Sequence, residues 1–339
     1  MERLQSLLWL LANIAMTGSR DRAQTLDLLC QACAGIHRLE PTLPVLTADR
    51  LEASLQVPVE EWLPDTIRGE LTGALLVSSV VPSRICREMH LEYEAREQMD
   101  RTQALILRIR DFCKVLPDGQ TLYRTFRRFL IQSPTTQRRP ARLIFQPLDV
   151  SLDDMYRAPK RHELLGTYLY LCPCCGWAMN VTQPEVACTS QWCEQAGSLF
   201  DRQHDQVVRR SNGAVLAGVA AEDILVLQDT FWKFTLLPGL LELQLAEGLQ
   251  NLGFTPVLWP DFDESDVRIE LDGEYLDLDA KVWRYPDVLA SHLSALPRSK
   301  LRWIVIPDYQ ATSLPFLREK TGLQIHTYSS CLKELKKRA

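Results

Sequence analysis

Asp266, Asp279 and Lys281 are residues whose types and spacing could do chemistry together. Asp272-Gly273 reads as a two-residue hairpin loop, a pair that takes positive φ angles readily and suits the twist of paired strands. With that loop, Leu271 pairs with Glu274, Ile269 faces Leu276 and Val267 faces Leu278, giving one apolar face. On the other face Arg268 sits opposite Asp277, and Asp266 sits opposite Asp279. Carboxylates directly opposed on a sheet lie roughly 4.5–5.5 Å apart at Cβ and repel, so something should neutralise them. A divalent cation would, since Mg²⁺ is commonly held by one or two carboxylates, waters and a substrate phosphate. Lys281 falls two residues beyond Asp279 on the same face, within reach of a phosphate or a water beside that cation.

A second group of residues has metal-ligand spacing. Cys172-Pro173-Cys174-Cys175-Gly176 forms a knuckle, Cys188 follows Cys175 by thirteen residues, and Cys193 comes after four intervening residues. Four thiolates in two close pairs make a closed tetrahedral site of the zinc-ribbon type, so Cys172, Cys175, Cys188 and Cys193 are expected to hold a structural Zn²⁺. Cys174 is a fifth thiol and is expected to stay out of the site. A module of this size folds around its metal, and Tyr170 and Trp177 are placed to cover it.

The elements that must position these groups are legible around them. Upstream of the hairpin, PGLLELQLAEGLQNLGF carries Leu241, Leu245, Leu249 and Leu252 on one helical stripe, expected to start after Pro238 and end at Gly253. Downstream, Leu301–Ile306 reads as a buried strand, Leu314–Lys320 as a helix and Leu323–Tyr328 as a strand, before a short basic helix. His162, His204, His292 and His326 have no spacing that marks a general base.

The rest of the chain bounds the possibilities. Its 339 residues imply two or three domains, and the expected layout is a multidomain α+β protein. A helical region occupies residues 1–135, a linker 136–164, the four-cysteine zinc ribbon 165–202, and an α/β core 203–339. The apolar run Leu7–Met16 is too short to span a bilayer, and the protein is expected in the cytoplasm without a membrane role. Cys30 and Cys33 are expected to pack in a helix stripe rather than bind metal.

Charge is uneven. Between Arg101 and Arg161 stand thirteen Lys or Arg and five Asp or Glu, a local +8 in a chain of net −5. Arg124, Arg127, Arg128, Arg138 and Arg139, the last two in an exposed loop before Pro140, suit phosphate contact with aromatic stacking, or a protein partner. Equally, Tyr123, Phe126 and Phe129/Leu130 read as a core stripe whose arginines pair with acids.

Asp266 followed by Asp279-Ala280-Lys281 resembles the signature of the PD-(D/E)xK restriction-endonuclease-like superfamily. The helix, hairpin, helix, strand, helix, strand order of residues 235–330 matches such cores. The resemblance adds Glu242, eleven residues before Gly253, as a direct or water-mediated ligand; a first-turn acid favoured by the helix dipole is the other explanation, and Glu247 is the solvent-facing alternative. The helical N-terminal part with its YRTFRRFLIQSP segment, the ribbon, and an Asp-Ala-Lys running into VWRYPDVLASHL together resemble the nuclease partner encoded beside prokaryotic PIWI-RE proteins. That resemblance implies Mg²⁺- or Mn²⁺-dependent phosphodiester hydrolysis, with DNA ahead of RNA as substrate. It also implies a defence complex with a PIWI-like protein and a helicase. The competing expectation is a catalytically inactive nucleic-acid-binding or scaffold subunit that uses the ribbon and the arginines.

Overall fold

A computed structural model describes residues 7, 10–15, 22–68, 73–78, 81–148, 150–181, 185–294 and 302–338. The chain divides into two compact units, residues 1–96 and 97–339. No helix among the described residues is long and apolar enough to cross a membrane.

The described residues of the first unit are mainly helical. Leu7 and residues 10–15 are helical and largely buried, while Leu8, Trp9 and Met16 lie outside the described residues. Helix α1 (Arg22–Leu39) buries Thr25, Leu28, Leu29, Ala32 and Ile36, and packs on α2 (Ala48–Ser54), which Thr47 caps. Cys30 is exposed and Cys33 half-buried, so neither belongs to that buried stripe as the sequence had implied. A short antiparallel pair, Leu76–Ser78 with Val81–Pro82, was not foreseen. The division between the units falls within helix α3 (Arg84–Lys114).

In the second unit, α4 (Gly119–Gln132) buries Tyr123, Phe126, Arg127, Leu130 and Ile131. The expected linker is ordered structure. Strand β1 (Thr135–Gln137) leads into α5 (Arg138–Phe145), and β2 (Tyr156–Arg157) follows; β3 (Ile224–Leu227) pairs antiparallel with both strands. Arg138 and Arg139 therefore sit in a helix and not in a loop, because Pro140 falls in the first turn, where a missing N–H costs nothing.

The cysteine-bearing sheet runs past residue 202: strand Leu199–Gln203 pairs with Gln206–Arg209, which pairs with Val215–Leu216. Val219–Ala220 returns to pair with Tyr168–Leu169. Within the knuckle the Cys172 N–H donates to Trp177 O (2.8 Å) and the Gly176 N–H to Cys172 O (2.7 Å), with Gly176 at φ +71°. That left-handed turn folds the chain back, and glycine adopts it without a Cβ clash.

Trp177 joins this module to the C-terminal core. Its ring stacks on Trp232 at 4.6 Å and its indole N–H donates to Leu227 O at 2.9 Å. Trp232 opens a π turn, Trp232–Leu236, inside a helix that starts at Asp229 and continues as α6 (Leu237–Asn251). The helix thus begins ahead of Pro238 and not after it; the wider turn accommodates a residue with no N–H to donate.

The C-terminal sheet has the order β4 (Val257–Leu258), β5 (Val267–Leu271), β6 (Glu274–Ala280), β7 (Arg302–Ile306), β8 (Gln324–Thr327). The first three are antiparallel, and β6, β7 and β8 are parallel, joined through α7 (Pro286–Ser294) and α8 (Leu314–Thr321) and followed by α9 (Tyr328–Lys336). Leu301, expected to open β7, lies outside the described residues. The hairpin register is Val267 with Leu278, Arg268 with Asp277, Ile269 with Leu276 and Leu271 with Glu274, around Asp272 and Gly273 at φ +54° and +80°. Leu241, Leu245 and Leu249 of α6 are fully buried, and α6 packs on β5 and β6. Burial of each such leucine contributes about 1.5–3 kcal/mol.

Candidate active site

Asp266 immediately precedes β5, and Asp279 and Lys281 stand at the end of β6. The two aspartates interlock through the backbone. The Asp266 N–H donates to Asp279 Oδ1 (3.4 Å), and the Ala280 N–H donates to Asp266 Oδ2 (2.7 Å). Each also has a base, with Lys281 Nζ 3.5 Å from Asp266 Oδ2 and Arg302 Nη1 3.2 Å from Asp279 Oδ2. The repulsion read from the register is thus already relieved by N–H donors and side-chain cations. Arg268 pairs with Asp277 at 2.7 Å, the cross-strand pair the register requires.

Glu242 projects from the first turns of α6 and is 1% exposed. Its Oε2 accepts the Trp259 indole N–H at 2.5 Å, and both its oxygens lie 3.3 Å from Arg127 Nη2. Burial, reinforced by Asp266, pushes its pKa up to about 8 against the pull of Arg127. Glu247, by contrast, is exposed.

Between β4 and β5 the chain makes an unusual loop in which Asp261, Phe262 and Asp263 take φ angles of +50°, +60° and +72°. Left-handed backbone at non-glycine residues is unfavourable and persists where surrounding contacts impose it. One face of α4 supplies those contacts. Gln120 Nε2 donates to Trp259 O and Gln120 Oε1 accepts the Phe262 N–H, both at 2.8 Å. Arg124 Nε donates to Leu258 O at 3.1 Å, the Tyr123 hydroxyl donates to Asp263 Oδ2 at 2.8 Å, and Arg127 Nε is 3.5 Å from the same oxygen. Residues 120, 123, 124 and 127 follow the i, i+3, i+4, i+7 spacing of a single helix face.

Glu242, Asp263, Asp266 and Lys281 line one cavity of about 300 Å³ with Arg127 and Arg110. Burial raises the Asp263 carboxyl above its usual range, and likewise that of Asp279. For Lys281 burial acts downward, but Asp266 and Asp279 outweigh it and the ammonium is stabilised. His292, on the cavity wall, stacks on Trp283 at 5.4 Å; burial beside Lys281 pulls it down to about 4, so it is neutral at pH 7.

Arg127 was expected on a binding surface and is instead buried at this site, paired with Glu242 and Asp263 and lying 5.6 Å over the Trp259 ring. Arg124 is half-buried against the β4 end, whereas Arg128, Arg138 and Arg139 are exposed, Arg138 lying 3.5 Å from Asp153. Trp259, Asp263 and Arg302 escaped the sequence reading, and Tyr123, read as a core residue, was not foreseen as a partner of Asp263. The spacing of Gln120, Tyr123, Arg124 and Arg127 was a signal for that role of Tyr123.

Two donor sets differ in kind. Cys172, Cys175, Cys188 and Cys193 are buried with their sulfurs all within 4.8 Å of one another, a set that can hold a metal ion, and Cys174 is not part of it. Cys193 is fixed by a short helix, Gln191–Gln195, capped by Ser190. The second set, Glu242, Asp266 and Asp279, offers only oxygen, which suits a hard divalent cation. Among the described residues no three carboxylates are drawn as close as the sulfurs; the bases hold them instead.

Residues 239–330 match the family model described as REase associating with pPIWI_RE, and residues 18–137 match that described as pPIWI_RE three-gene island domain Y. No curated protein and no solved structure matches the chain. The first match contains Glu242, Asp263, Asp266 and Lys281, and the second contains Arg110 and Arg127, so the cavity draws residues from both. Together the two matches place this chain in the PIWI-RE defence island, and the match over residues 239–330 suggests a restriction-endonuclease-like domain there.

Proposed function

We propose that the chain is a metal-dependent nuclease that hydrolyses phosphodiester bonds, with DNA as the expected substrate, inside a defence complex. The observation that carries this is the convergence of Asp266, Asp279 and Lys281 at the end of one hairpin, beside Glu242 and an open cavity, within the region matching the REase family. Asp266 and Asp279 would hold a Mg²⁺ or Mn²⁺ ion, with Glu242 as a direct or water-mediated third ligand. Such a cation lowers the pKa of a bound water and neutralises charge on the phosphate oxygens. Lys281, whose ammonium Asp266 and Asp279 stabilise, is placed to orient the attacking water or to hold the scissile phosphate. Cys172, Cys175, Cys188 and Cys193 would hold a structural Zn²⁺, since a closed buried set of four thiolates leaves no open ligand position.

Exposed Arg128, Arg138 and Arg139 supply a nucleic-acid or partner surface, with a PIWI-like protein and a helicase as the expected partners, in the cytoplasm where thiols stay reduced. The test is incubation of the purified chain, alone and with its co-encoded partners, with plasmid and with RNA in Mg²⁺ or Mn²⁺. Cleavage should be lost with Asp279→Asn and fall by roughly 10²–10⁴-fold with Lys281→Ala.

One observation favours a second reading. Glu242, Asp266 and Asp279 each already face a base, as in a site built to rest without a cation. On that reading the fold is a nucleic-acid-binding platform. Binding without cleavage under every partner condition would establish it.

A further inference from the structure

We propose that Arg127 is a resident counter-ion of the cation site, which holds Glu242 and Asp263 in the cation-free chain and competes with a divalent cation for Glu242. The inference rests on the nuclease function proposed above. It accounts for a carboxylate site in which no ligands are yet gathered.

Arg127 belongs to α4, 115 residues before Glu242, yet its guanidinium reaches both Glu242 oxygens and Asp263 Oδ2. It is 7% exposed and lies against the Trp259 ring, which itself donates to Glu242. Every oxygen of Glu242 that could face a cation is therefore already facing Arg127. Lys281 and Arg302 occupy the corresponding places at Asp266 and Asp279. Four carboxylates, Glu242, Asp263, Asp266 and Asp279, are thus matched by three bases.

The arrangement is incomplete as a permanent ion-pair network. Arg127 Nε and Asp263 Oδ1 are buried without a hydrogen bond. A buried pair intended only for stability would satisfy such atoms, because an unmet charged group in a low-dielectric site is costly. Arg127 and Asp263, the residues that carry these atoms, line the cavity shared with Asp266 and Lys281, where a cation and its waters could meet the unused carboxylate oxygen. The loop carrying Asp263 is held by the same helix face, so α4 sets the positions of two of the four carboxylates.

Competition has a definite sign. If Arg127 merely oriented Glu242, removing it would weaken cation binding; if it occupies the cation's electrostatic place, removing it tightens binding. The experiment is a thermal-shift titration of the full chain with Mn²⁺, with zinc content checked for every variant. In Arg127→Met the half-saturating Mn²⁺ concentration should fall about ten-fold or more, as expected when one nearby unit charge is removed. Arg127→Lys, which keeps the charge, should stay closer to wild type than Arg127→Met does, and adding Glu242→Gln to Arg127→Met should cancel the gain. Where Arg127→Met does not fold, Arg127→Gln keeps an N–H for Glu242 without the charge and carries the same expectation. A variant stabilised by Mn²⁺ when wild type is not would support competition in its strongest form. Equal or higher half-saturation in the variant overturns the counter-ion while leaving the nuclease in place, and no stabilisation of either protein overturns both.

Discussion

Arg302 Nη1 lies 3.2 Å from Asp279 Oδ2, and this contact reverses the stability effect expected at Asp279. From the register alone, Asp279→Asn should relieve repulsion and melt at or slightly above the wild-type temperature. In the fold the substitution strands Arg302 and weakens the acceptor for the Asp266 N–H, so the cation-free variant should lose about 1–3 kcal/mol. Denaturation in chelator measures this, and an unchanged or raised melting temperature would mean that repulsion dominates after all. Lys281→Ala should keep or increase any Mn²⁺-induced stabilisation, because the lysine is not a ligand and its charge lies beside Asp266. The carboxylate pair was legible because it depends on local devices, a two-residue turn and a strand period of two, whereas Glu242 came from the resemblance. Their counter-ions were not, since Arg127 reaches Glu242 across 115 residues and Asp263 arrives through a left-handed loop that no spacing rule marks.

Helix α4 carries the longer-range half of the site, and its placement depends on a residue with no side chain. A Cβ on Gly119 would run into the Cys113 carbonyl at the end of α3, so this helix start fits only without one. Gly119→Ala should cost about 1–3 kcal/mol or more and shift the face that holds the loop. It should therefore affect Mn²⁺ binding as well as melting; an alanine variant with wild-type melting would refute the close approach. A second clasp secures the start of the helix leading into α6. Asp229 takes Lys160 Nζ at 2.5 Å and Arg157 at 2.8 Å, while Arg157 also pairs with Glu163 at 2.6 Å. Burial raises the Asp229 carboxyl, but the two cations outweigh it and its folded pKa lies below the ordinary value. A depressed carboxylate stabilises the fold above its unfolded pKa, and that contribution is lost as pH falls through the folded value. Asp229→Asn should thus cost roughly 1.5–3 kcal/mol at pH 7 and converge on wild type in acid, as denaturation at several pH values would read. The apolar stripe of α4 was visible in the sequence as one of two explanations for its arginines. The clasp was not visible, because prolines in residues 136–164 read as a linker when they in fact sit in first turns and between short paired strands.

At the scale of the molecule, the cysteine module and the C-terminal core share one structure. Elemental analysis should find one zinc per chain, retained in Cys174→Ser, since Cys174 lies outside the four-sulfur set. Removing the metal should loosen more than the ribbon, because Trp177 leaves the knuckle to stack on Trp232, in the helix that goes on to present Glu242. Chelation should accordingly lower the melting temperature of the whole second unit in one transition; two separate transitions would show that the halves fold independently. The same stack gives the protein an optical label of its own. Two indoles 4.6 Å apart with planes inclined by 19° have coupled electronic transitions, so the pair should add a circular-dichroism signal that neither ring produces alone. A Trp177→Phe variant would remove that signal with the metal still bound. With that reference, stripping zinc from the wild type would report, without any added dye, whether the knuckle still grips the helix that carries Glu242.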